Sequence, residues 1–166
     1  MRYIIGAVLV FFIALVQASS VQQFHVLGVV PNLMLVMLCA WLVVRGLDDV
    51  LPMVAVAGVT LGLVGLETPG LVLLALLPLA ALGVVRELHI VHSELVLVLA
   101  LTAAASLAYE TVMLLAVLAT GGGHDVVTGF TRAVVPAMLV NLALTPPVYV
   151  LMRFAKPAAT RRRLAY

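Results

Sequence analysis

Stretches without Asp, Glu, Lys or Arg constrain this chain more than any motif it carries. They occupy positions 3–30, 31–44, 50–66, 68–85, 95–109 with a continuation past Glu110 to 123, and 133–152. Inside them apolar residues follow one another without the period-2 alternation of a half-buried strand or the single stripe of a surface helix. Helices that are hydrophobic all round suit a solvent as apolar as their own core, where each segment satisfies its own backbone hydrogen bonds. Hydrophobic residues make up 65% of the chain and charged residues 10%. That leaves too little polar surface to cover a water-soluble domain. The expected class is therefore all-α: a polytopic membrane protein, one domain over 1–155, with a basic tail at 156–166.

A helix crosses the hydrocarbon with about 20 residues, rising about 1.5 Å per residue. Six transmembrane helices are expected, near 3–19, 31–46, 50–66, 69–86, 94–119 and 132–154. The second is short, about 21 Å over its uncharged part at that rise. Its approach, His25-Val26-Leu27-Gly28-Val29-Val30, is apolar but interrupted by Gly and Pro. It is expected in the outer interface or folded back into the bundle. The fifth helix is long enough to require tilt. Basic residues set the orientation. With the N-terminus inside, Arg2, Arg45, Arg86, Arg153, Lys156, Arg161, Arg162 and Arg163 are cytoplasmic and only Arg132 is outside. That asymmetry predicts cytoplasmic termini and requires an even number of spans. Met1-Arg2 and the run ending Val16-Gln17-Ala18 also carry the pattern of a cleavable signal peptide; the run is read as a span.

Hydrophobicity does not drive helices together within lipid, so small residues and a few polar groups must. In the third helix Ala55, Gly58, Gly62 and Gly65 form a candidate packing stripe, with further seams at Ala14/Ala18 and at Ala103–Ser106. Pro78 and Pro146-Pro147 predict kinks. The single cysteine, Cys39, lies in an apolar block, excludes an intramolecular disulfide and is read as a packing residue.

Glu110 is the one ionisable residue well inside an expected span, and a carboxylate there needs a partner or a proton. Asn141 is expected at similar depth, with Thr145 on the same face one turn on. A Glu110–Asn141 hydrogen bond between antiparallel helices is expected, with Tyr109 and Arg132 as helpers nearer the outer surface. His89, His92 and Glu94 have metal-ligand spacing, but in a short charged link they read as a solvated turn. Gly121-Gly122-Gly123 lacks the Lys-Ser/Thr of a phosphate loop. Arg153, Lys156, Arg161, Arg162 and Arg163 read as anchors to anionic lipid, not as a nucleic-acid site. No Ser/His/Asp, Cys/His or paired-carboxylate arrangement points to catalysis, so neither an enzyme nor a cofactor or metal site is expected.

Several landmarks occur in a characteristic order: Pro31-Asn32-Leu33 opening a short second helix, Glu67-Thr68-Pro69-Gly70 after a glycine-rich third, Tyr109-Glu110 in the fifth, and Pro136, Asn141 and Pro146 in the sixth. In this order, and in size and span number, nearly the whole chain resembles the MreD family of bacterial rod shape-determining membrane proteins. One departure is Gly62, where many members carry an acidic residue. The resemblance implies a non-catalytic scaffold of the cell-elongation machinery in the bacterial cytoplasmic membrane. Such a scaffold would bind MreC and, through it, MreB, RodA and a class B penicillin-binding protein, with a homo-oligomer as a further state. It also implies a fold similar to the six-helix substrate-binding subunits of energy-coupling-factor transporters. The alternative function is therefore capture of a vitamin or another small molecule.

Overall fold

A computed structural model describes residues 2–19, 28–65, 67–87, 93–121 and 125–154. Their helices are α1 (Arg2–Ser19), α2 (Leu33–Arg45), α3 (Leu47–Val64), α4 (Pro69–Glu87), α5 (Glu94–Ala119), α6 (Val126–Gly129) and α7 (Val135–Phe154), with a π-helical turn at Phe130–Val134 joining α6 to α7. Among the described residues no β-strand forms. Leu47–Val64, Glu94–Ala119 and the continuous stretch Val126–Phe154 are long and apolar enough to cross a membrane; Gly6–Ser19, Leu33–Arg45 and Pro69–Val84 are shorter apolar helices. The protein is all-helical and of membrane character.

The architecture is one helix inside five. α2 touches each of α1, α3, α4, α5 and α7, and every residue from Met34 to Val44 is buried. Around it the neighbours run α1, α3, α4, α5, α7, and the ring stays open between α1 and α7. An apolar cleft of about 240 Å³ occupies that gap, between Phe12 and Ile13 on one side and Val148 and Leu151 on the other. α2 carries no polar face that would have to stay outside, so nothing in its composition opposes complete enclosure.

α2 ends where its own chemistry stops it. Asn32 caps its start, the side-chain oxygen accepting from Leu35 N at 3.0 Å. At the other end Gly46 adopts φ +101°, a left-handed conformation that glycine tolerates, and donates to Leu42 O at 2.9 Å. The missing Cβ leaves room for Arg86, whose Nε donates to Val43 O at 3.2 Å. A cation at a helix C-terminus also meets the negative end of the helix dipole.

Two boundaries differ from those expected by three residues or more. α3 starts at Leu47 rather than 50, because Asp48 and Asp49 sit in its first turn, where carboxylates favour the helix. The last helix begins at Val126, six residues before the expected 132. The π turn in this extension lies just before Pro136, whose missing N–H and bulky ring disturb the regular ladder. Pro78, Pro146 and Pro147 lie inside α4 and α7 without ending them.

The α3 stripe is resolved into parts. Gly58 is buried against Leu73, and a Cβ at Gly62 would fall on the Pro69 backbone, so α3 and α4 meet closely at both. Gly65 ends α3, donating to Leu61 O at 2.7 Å. Ala55, expected in the same seam, is exposed. The buried face of α3 runs through Val50, Met53, Val54, Ala57, Gly58 and Leu61. At about 100° per residue Ala55 lies roughly 130° round from its middle.

Candidate functional site

The polar side chains divide into a closed cluster at the start of α2 and an open groove beside α5. In the cluster, Gln17 of α1 donates from Nε2 to Asn32 Oδ1 at 3.3 Å and accepts from Met34 N at 2.9 Å. Asn141 of α7 accepts from Asn32 N at 2.8 Å and donates to Ser106 Oγ of α5 at 3.1 Å. Asn32, Ser106, Asn141 and Thr145 are all buried. These contacts tie α1, α2, α5 and α7 together and satisfy backbone donors that the start of a buried helix would otherwise leave unmet.

The expected Glu110–Asn141 bond is absent: Asn141 is held by Asn32 and Ser106 instead. Axial position explains the exchange. Ser106 lies 12 residues after Glu94, and Asn141 lies 12 before Arg153, which places both about 18 Å from the same end of the bundle. Glu110 is about 24 Å along α5, too far outward to meet Asn141. Thr145 also stays within its own helix, donating to Asn141 O at 2.8 Å. Ser106 and Gln17 were overlooked as partners, one among small packing residues and the other in an apparent signal-peptide ending. Counting rise from a shared end of the bundle is the signal that finds Ser106.

Glu110 instead lines a cavity of about 470 Å³ between α5 and the extension of the last helix, with Arg132 on the facing wall. Among the described residues the Glu110 carboxyl has no hydrogen-bond or ion-pair partner, and Arg132, which is exposed, forms no ion pair with it. Tyr109 is buried and points away, with Asn32 and Glu67 among its polar neighbours. It lines a smaller cavity of about 180 Å³ with Gln17, Gly65 and Glu67.

The remaining landmarks are structural in placement. Pro31 is buried next to the Asn32 cap, Pro69 is the first residue of α4, and Pro136 and Pro146 belong to α7. Tyr149 donates to Glu94 Oε2 at 2.6 Å, joining the end of α7 to the start of α5, with Arg153 beside it. Arg45 stacks over Trp41, 5.2 Å from the ring centre. Cys39 is buried and free. His25, His89, His92, Lys156, Arg161, Arg162 and Arg163 lie outside the described residues. Among the described residues no group of three metal-ligating side chains occurs. No protein-family model, curated protein or solved structure matches this chain.

Proposed function

We propose that this protein is a non-catalytic membrane scaffold of the bacterial cell-elongation machinery, a member of the MreD family that binds the single-span protein MreC and couples it to peptidoglycan synthesis. Six helices span the cytoplasmic membrane, α2 among them as a short central one, with both termini in the cytoplasm. The observation that supports the scaffold reading is the use made of the buried polar groups. Gln17, Asn32, Ser106 and Asn141 bond to one another and to the backbone of α2, which stiffens the bundle and leaves its outer faces to carry recognition. The orientation has support in the gathering of Arg45, Arg86 and Arg153 at one end of the bundle, under the positive-inside rule.

Co-expression with MreC in the same membrane tests the reading. MreC is expected to co-elute in mild detergent, and depletion of the scaffold is expected to round rod-shaped cells. Independent elution together with intact rod shape refutes it. Small-molecule capture is the second reading, favoured by the cavity that Gln17, Glu67 and Tyr109 line. That cavity measures about 180 Å³, below the ~300–1,000 Å³ of ordinary ligand sites. A vitamin retained through purification would reverse the preference.

A further inference from the structure

We infer that the groove between α5 and the extension of the last helix is the seat of a partner's transmembrane helix, and that Glu110 is the polar anchor of that seat. The inference rests on the scaffold reading and adds where the partner lies and what chemistry it brings.

Among the described residues the extension, Val126–Gly129 with the π turn, touches only α5 besides the helix it continues. From Asp125 to Ala133 every residue except Gly129 is exposed, whereas Val134, the next one, is 1% exposed. The chain therefore leaves the bundle at the π turn. Gly129 lies against Leu114 of α5, where a Cβ would fall 2.6 Å from Leu114 Cδ1. Met113 and Val117 line the opposite wall of the gap with Glu110, and Thr128 and Arg132 face them.

The occupant follows from the Glu110 carboxyl, which has no partner among the described residues. Glu110 is about 14 Å short of the outer end of α5 at 1.5 Å per residue, inside the apolar part of a spanning helix. A carboxyl at that depth without a partner either takes up a proton or costs at least a few kcal/mol as the anion, and in both states it remains a polar group that wants a hydrogen bond. A lipid tail filling the groove offers it neither donor nor acceptor. A transmembrane helix with one Ser, Thr, Asn, Gln or Lys at this level supplies a donor while its apolar side chains cover Met113 and Val117. Arg132, nearer the outer end, complements an acidic residue where that helix leaves the membrane. The fitting partner is thus an apolar single-span helix with a donor at mid-depth and a carboxylate toward its outer end.

Cysteine cross-linking in native membranes tests the seat. Met113→Cys and Thr128→Cys are paired with cysteines scanned along the MreC transmembrane helix, with Phe12→Cys and Leu151→Cys reporting on the cleft between α1 and α7. Cross-links are expected at the first pair, at every third or fourth partner position, and not at the second. Glu110→Leu, provided that it elutes alone as the wild type does, is expected to retain about tenfold less partner, and Glu110→Gln, which still accepts a hydrogen bond, nearly as much as wild type. Cross-links confined to positions 12 and 151 overturn the seat and leave the partnership standing. Cross-links through Thr128→Cys between two copies, without MreC, assign the groove to self-association and overturn it. Full retention by Glu110→Leu refutes the anchor. Failure of the wild type to retain MreC removes both the scaffold reading and its seat.

Discussion

α2 and the extension of the last helix are both short, and the bundle treats them in opposite ways. α2 is enclosed by five helices, and its ends are met by Gln17, Asn141 and Arg86. The extension leans on α5 alone, and the carboxyl across the groove from it has no partner among the described residues. Within one chain, polar residues are thus bonded to one another where they are enclosed and, among the described residues, carry no such bonds in the groove. Substitutions around α2 are expected to lower the stability of the isolated protein, and those in the groove to leave it unchanged.

The largest effect is expected where a ring contact is made backbone to backbone. Gly62→Leu puts a side chain into the Pro69 backbone and should cost about 3 kcal/mol, read as poor membrane accumulation or a much lower Tm in detergent. Normal behaviour would mean that α3 and α4 separate freely. Asn141→Leu strands Asn32 N and Ser106 Oγ in the interior. A loss of about 2 kcal/mol is expected from two buried groups left without partners, whereas a Tm within error of wild type would show that the cluster contributes no cohesion. Arg86→Met removes the donor at Val43 O and should cost about 1 kcal/mol, measured in the same melt. The smallest effect belongs to the extension. Val127→Ala, at a side chain 67% exposed, should stay within about 0.5 kcal/mol. A larger drop would show the extension to be part of the closed bundle, and the contrast would fail.

The helical class was legible because hydrophobic runs are a local property, read without knowing what packs on what. The enclosure of α2 was not legible, because its block is no more apolar than those of α1 and α3. Nor were the pairings. The sequence marks Asn141 as a residue needing a partner but not which one, because its level against α5 depends on which ends of the two helices lie together. Glu110 was recognised as anomalous for a sound reason, the cost of a carboxylate in lipid, while its surroundings depended on where the last helix leaves the bundle. That departure follows from the π turn ahead of Pro136, and the proline by itself gives neither the length of the turn nor the direction in which the chain leaves. Ala55 falls outside the seam because a stripe of small residues does not fix which face of α3 turns inward; the larger Val50, Met53 and Val54 do.

The bond from Asn32 N to Asn141 Oδ1 joins residues 109 apart, and this has a consequence for biogenesis. A ribosome adding ~5–20 residues per second makes Asn141 on the order of 5–20 s after Asn32. During that interval the start of α2 lacks its final acceptor, and a 13-residue segment is too short to hold a membrane-spanning position by hydrophobicity alone. The last hydrogen bond at the start of α2 is therefore made only once α7 has packed, so a chain shortened before Asn141 keeps Asn32 N without that acceptor.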